Sequence, residues 1–133
     1  MTKPAVIIRL DADQNVYPPG AALTGSFWLR GVTADEIKAV ESSVLWYTEG
    51  KGDEDMAVHA FWRTSAEANH WIAPNRPNRF ETTLPRTPLS YSGAILKVRW
   101  CVRVRAFLLG GREIIGERVF QLGMLPAPEL AQP

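Results

Sequence analysis

From Leu96 to Ala106 every even position is apolar: Leu96, Val98, Trp100, Val102, Val104 and Ala106. The odd positions between them hold Lys97, Arg99, Cys101, Arg103 and Arg105. Successive side chains of a strand point to opposite faces, so the alternation predicts one long strand with a dry face and a basic face. A helix would spread the four cations around its circumference. The same two-residue period recurs upstream. Over residues 21–30, Leu23, Gly25, Phe27 and Leu29 face one way, and Thr24, Ser26, Trp28 and Arg30 the other. Over 37–48, Val40, Ser42, Val44 and Trp46 share a face, and Tyr47 points to the opposite one. Shorter runs over 5–10, 56–64 and 79–84, the last with Phe80, Thr82 and Leu84 inward, read as further strands, and a final strand ends at Leu122.

Turn-forming residues separate these runs: Pro18-Pro19-Gly20, Gly31, Gly50–Asp55, the prolines of 85–92 and Gly110-Gly111. Residues 65–78 form a longer loop with room for one helical turn. Strands at this spacing, with no sustained helical period, predict an all-β, immunoglobulin-like sandwich of about seven strands. It occupies residues 1–122. The tail 123–133 carries three prolines and no periodic pattern, and is expected to be disordered. A turn over residues 110–112 would pair Val102 with Phe120 and Trp100 with Leu122, and would set Glu117 opposite Arg105.

A chain of 133 residues is one domain by length and can bury roughly two thirds of its unfolded surface without a disulfide or metal. The net charge of +1 argues against bulk electrostatic binding to nucleic acid or an acidic membrane, leaving such work to a local patch. The single cysteine, Cys101, excludes an intrachain disulfide and a multi-cysteine zinc site. There is no run of about 18 apolar residues to span a membrane, and no apolar leader near Met1. The expectation is a cytoplasmic protein.

Three features carry candidate chemistry. The row Lys97, Arg99, Arg103 and Arg105 suits carboxylate or phosphate groups of an acidic partner, or is neutralised by neighbours such as Glu113 and Glu117. The turn residues Asp53, Glu54 and Asp55 offer oxygens to a divalent cation, but without the alternating spacing of a calcium loop, so a plain acidic turn is the expectation. Trp28 and Tyr47 point outward, where aromatics cover a protein partner or stack on sugars. Trp46 and Trp100 point inward, while Trp62 and Trp71 are unassigned. Catalysis finds no support. His59 and His70 stand apart, and Cys101, though flanked by cations that lower a thiol pKa, has no base or oxyanion site in view. No cofactor is implied.

The order of the motifs resembles an arrestin-type domain. Tyr17-Pro18-Pro19-Gly20 precedes Leu23-Thr24-Gly25-Ser26-Phe27-Trp28-Leu29. Later come Phe80, Leu84-Pro85, Pro88-Leu89-Ser90-Tyr91 and Gly93, ahead of Val98-Arg99-Trp100. The resemblance covers residues 5–122. It implies an immunoglobulin-like sandwich with a non-catalytic scaffolding or adaptor role, as in arrestins, retromer adaptors and bacterial sporulation-control proteins. Such proteins usually carry two sandwiches in tandem, and this chain has room for one, so no two-lobe residue role transfers. The implied partner is another protein or a second copy in a homodimer, engaged at a sheet edge or on the basic outer face. Nucleic acid is not expected. The alternative is a carbohydrate-binding sandwich that uses its outward aromatics.

Overall fold

A computed structural model of the chain describes residues 3–12, 15–52, 54–66 and 72–123. The strands are β1 (Ala5–Leu10), β2 (Val16–Tyr17), β3 (Ala22–Arg30), β4 (Ile37–Gly50), β5 (Met56–Ser65), β6 (Asn78–Thr83), β7 (Tyr91–Ser92), β8 (Leu96–Leu108) and β9 (Glu113–Leu122). The seven expected strands are present. The two additional ones, β2 and β7, are two residues long, too short to leave a period in the sequence. Residues 67–71, including His70 and Trp71, and residues 124–133 of the tail lie outside the described residues.

The strands form two sheets. The small sheet runs β1-β3-β6 and the large sheet β2-β9-β8-β4-β5, with β7 paired to one end of β8. All pairings are antiparallel except β2 with β9. The core lies between the sheets. Leu23, Phe27 and Leu29 of β3 meet Val40 and Val44 of β4, Trp100, Val102 and Val104 of β8, and Phe120 and Leu122 of β9. At roughly 1.5–3 kcal/mol for each large apolar side chain removed from water, this layer supplies the main drive to fold.

Trp100 and Ser90 find hydrogen-bond partners within the core, whereas the buried Tyr17 hydroxyl has none among the described residues. Trp100 Nε1 donates to the Pro88 carbonyl at 2.7 Å, tying the 85–90 crossover to the centre of β8. Ser90 lies along β9: its amide donates to the Leu122 carbonyl, and its hydroxyl accepts from the Leu122 amide, each at 2.8 Å. Gly25 has a packing reason. A Cβ there would stand 2.6 Å from the Arg9 carbonyl oxygen and 2.6 Å from the Phe80 ring, so the close approach expected of a mid-strand glycine is real.

The last hairpin differs from expectation in register. The turn occupies Leu109–Gly111, with Gly110 and Gly111 both at positive φ, and the Leu108 amide donates to the Arg112 carbonyl at 2.8 Å. The turn therefore begins one residue earlier than expected, and the register moves by two. Trp100 pairs with Phe120, Val102 with Arg118, and Glu117 lies opposite Arg103 rather than Arg105. A shift of two preserves every face, which is why hydrophobic alternation could not detect it.

Candidate interaction surface

The alternation of β8 sends Lys97, Arg99, Cys101, Arg103 and Arg105 to the outer face of the large sheet, away from the small sheet. Neighbouring strands supply carboxylates to this row. Arg99 Nε lies 2.8 Å from Glu49 Oε1, Arg103 Nε 3.2 Å from Glu117 Oε1, and the Arg105 guanidinium 2.6 Å from Glu113 Oε1. Glu49 also stands directly across from Lys97, for which no ion pair is seen among the described residues. The face is thus a ladder of alternating charge. Each pair is partly exposed, which limits its worth to about 0–1 kcal/mol.

An apolar row crosses the middle of this charged face. Val58 of β5, Leu45 of β4, Cys101 of β8 and Val119 of β9 stand in register. Leu45 and Cys101 are buried although no sheet lies over them, whereas Val58 and Val119, at the two ends, are 49% and 42% exposed. Phe61 and Met56 continue the apolar surface along β5, both 55% exposed, and Ile115 continues it along β9. Phe107, further along the same face, lies under the Arg63 and Arg105 guanidiniums, whose carbons are 6.0 and 5.4 Å from its ring centre.

Cys101 is inert in this setting. Burial pushes its thiol up to about 12, with the Glu117 carboxylate adding to the effect, and its Sγ donates to Glu117 Oε2 at 3.9 Å. The lowering expected from the flanking arginines is outweighed first by burial and then by Glu117, which pairs with Arg103 and also touches the sulfur. Tyr47 is half-buried beside Arg99, and its phenol is raised, chiefly by burial. Trp28 lies elsewhere, on the outer face of the small sheet, half-buried and with the Arg9 guanidinium 5.6 Å from its ring centre. It borders an open recess of about 710 Å³ with Ile7, Asp11, Asn15 and Arg118. The structure therefore unites Tyr47 with the basic row and separates Trp28 from both.

The remaining candidates are structurally engaged. Asp55 closes the β4–β5 turn: its amide donates to Thr48 Oγ1 at 2.8 Å and its carboxylate accepts from the Met56 amide at 2.9 Å. Glu54 is exposed in that turn, and Asp53 lies outside the described residues. No group of three metal-ligating side chains is found among the described residues. His59 Nε2 lies 2.7 Å from the Thr83 carbonyl oxygen, linking β5 to β6, and its ring stands edge-on to Trp100.

The apolar outer face was not singled out from the sequence. Its signal was present in Met56-Ala-Val-His-Ala-Phe61-Trp, a strand without clean alternation. The cause is a β-bulge. Ala60 faces Val44 and Val58 faces Leu45, leaving His59 as the extra residue.

No family model matches this chain, and no curated protein matches it. Its fold is similar to the crystal structure of Spo0M, a sporulation control protein from Bacillus subtilis, with a TM-score of 0.64 and 18% sequence identity. The similarity covers 92% of this chain and 50% of that one, so the chain spans about half the length of the solved structure. Identity at this level shows the fold alone: an arrestin-like, all-β sandwich, in agreement with the motif order.

Proposed function

We propose that the chain is a non-enzymatic, protein-binding module that engages its partner through the outer face of the large sheet and the adjoining edge strand β5. One observation carries this reading: Met56, Val58 and Phe61 are exposed together on a strand that ends the sheet, beside the buried Leu45 and Cys101. An apolar centre with a rim of charged groups is the usual anatomy of a protein interface. Lys97, Arg99, Arg103 and Arg105 form that rim with their carboxylates, and Tyr47 lies between rim and centre. Arginine suits the task because its planar fork can pass from an intramolecular carboxylate to one on a partner.

A non-catalytic role is supported by the way the reactive side chains are used. The Cys101 thiol is held protonated, and His59 is bonded to a main-chain carbonyl. The likeness to a sporulation control protein favours a regulatory or adaptor setting. A lone buried thiol fits the reducing cytoplasm, and no helix among the described residues is long and apolar enough to cross a membrane. The carbohydrate alternative has less support: Trp28 and Tyr47 lie on opposite outer faces, and Arg9 covers one face of the Trp28 ring.

The test is an affinity capture from a lysate of the source organism. Wild type is run beside Met56→Glu/Phe61→Glu and Arg99→Glu/Arg103→Glu variants, each confirmed folded by circular dichroism. A protein held by wild type and lost from both variants supports the reading. Equal retention by all three moves the site elsewhere, and sugar-specific retention abolished by Trp28→Ala overturns it.

A further inference from the structure

The inner face of β9 breaks its own pattern. Ile114, Phe120 and Leu122 point between the sheets, and Arg118 shares their face, standing across from the buried Val102 of β8. A cation in a core-facing row marks a functional or strained position. At Gly116 the two sheets close together, since a Cβ there would stand 2.7 Å from Val6 Cβ of β1. Two residues further on, Arg118 lines the open recess of about 710 Å³ beside β1. β2 pairs with β9 only at Gln121 and Leu122, so it does not extend over Arg118.

The recess is cationic. Arg118 and Arg9 both line it, and neither meets a carboxylate among the described residues, whereas six other arginines are ion-paired. Asp11, the carboxylate of the described lining, is already held through both oxygens by Arg79. Each free guanidinium is positioned by a contact that leaves donors to spare. Arg9 lies over the Trp28 ring, with its in-plane N–H groups unused. Arg118 Nη2 donates to Asn15 Oδ1 at 3.1 Å, and the Asn15 carbonyl accepts from the Gln121 amide at 2.7 Å, which fixes Asn15 against β9. A guanidinium only donates, so the Asn15 oxygen must face it, and the side-chain nitrogen of Asn15 remains as a further donor.

Another donor lies beneath. Tyr17 is buried edge-on against Phe120, and its hydroxyl has no hydrogen-bond partner among the described residues. Burial raises its phenol first. The charges of Arg118, which lowers it, and Asp11, which raises it, also reach the phenol, so its hydroxyl end lies toward the recess. A buried hydroxyl without an acceptor is rare in native proteins.

We propose that this recess binds a small dianion bearing carboxylate or phosphate oxygens, held by Arg118 and Arg9 and accepting a hydrogen bond from the Tyr17 hydroxyl. Two uncancelled guanidiniums match two negative charges, and guanidinium geometry suits both kinds of oxyanion. The volume admits an organic anion as well as free phosphate. Arg118 is exposed, so its side chain can turn toward the ligand and open the way to the phenol. The site lies between β1 and β9, away from the outer face of the large sheet, and is independent of the protein-binding reading.

The test is calorimetric titration of the full chain with succinate and with inorganic phosphate, at constant ionic strength and a mildly alkaline pH where both are dianions. Saturable binding of at least one is expected, weakened at least about tenfold in Arg118→Gln and in Arg9→Gln, each confirmed folded by circular dichroism. Binding of succinate alone supports a dicarboxylate ligand, and binding of phosphate alone a phosphate-bearing one. Tyr17→Phe keeps the ring and is expected to lose affinity severalfold with no loss of thermal stability, because the free protein makes no use of the hydroxyl. An unchanged affinity in Tyr17→Phe overturns the part given to the phenol. Acetate binding as tightly as succinate overturns the match to two charges. The proposal as a whole is overturned if neither probe binds, or if binding survives both arginine substitutions. Binding lost instead in Arg99→Glu/Arg103→Glu overturns it by placing the anion on the large-sheet face.

Discussion

On the inner face of β8, Trp100, Val102, Val104 and Ala106 are fully buried beneath the small sheet. On the outer face of the same strand Cys101 is equally buried, with no sheet above it. Two neighbours along β8, Arg99 and Arg103, and two across it, Leu45 and Val119, surround that thiol. The inner face is sealed by rigid packing between layers. The outer face is sealed by long side chains whose charged ends reach carboxylates on the next strand and whose stems lie along the sheet. The same exposure value thus describes two different mechanical situations. One cover cannot open without unfolding; the other opens by rotating arginine side chains, which is what a docking surface needs.

The largest effect that separates the faces is expected at Trp100. Trp100→Ala removes a fully buried ring and orphans the Pro88 carbonyl, at a cost of about 3–5 kcal/mol in urea denaturation. Trp100→Phe keeps most of the packing and loses the hydrogen bond, at about 1–3 kcal/mol. Leu45→Ala, on the outer face, is expected to cost only about 2–3 kcal/mol, because mobile neighbours can settle into the space. A cost for Leu45→Ala equal to that for Trp100→Ala would break the distinction and mean that the outer cover is as rigid as the core.

The inner face was legible in the sequence because one rule governs it. Alternation of period two, applied to β3, β4 and β8, assigned Leu23, Phe27, Val44, Trp100 and Val102 to the core, and motif order supplied the arrestin-like sandwich. The outer face depends on relations the period does not contain. Burial of Leu45 and Cys101 follows from strand order, which decides that Val58 and Val119 stand beside them. The pairing of Glu117 with Arg103 follows from where a three-residue turn starts, a choice between Leu109 and Gly110 to which the apolar pattern is indifferent. The exposed surface of β5 follows from a bulge, which removes the period itself. Charged residues were visible one by one, but their neutralisation is a property of register.

The buried thiol gives a pH-dependent way to sharpen the comparison. The folded chain holds the Cys101 proton more tightly than the unfolded chain does, with a thiol pKa of about 12 against 9.0. Its contribution to stability is full below pH 9 and is lost as pH climbs through 12. Chemical denaturation across that range should therefore show a steeper alkaline decline for wild type than for Cys101→Ala. The raised phenol of Tyr17 titrates alike in both proteins and drops out of the difference, whereas Tyr47, which Cys101 helps to raise, adds to the difference in the same direction. Parallel curves would mean that the outer cover admits water and that the thiol titrates normally.

The smallest effects test the charged ladder, and they also test the hairpin register. Double-mutant cycles with Arg103→Gln and Glu117→Gln, and with Arg105→Gln and Glu113→Gln, are expected to give couplings of about 0.2–1 kcal/mol that weaken as salt is raised. The mixed cycle of Arg105→Gln with Glu117→Gln is expected to give coupling near zero, since each group is satisfied by a different partner. A register displaced by two residues would reverse this, coupling Arg105 to Glu117. The energies are small beside those of the core, but their pattern depends on strand alignment alone. Loss of both couplings without loss of stability would show that the arginines are free to leave their carboxylates at little cost, the property that the proposed docking of a partner on this face requires.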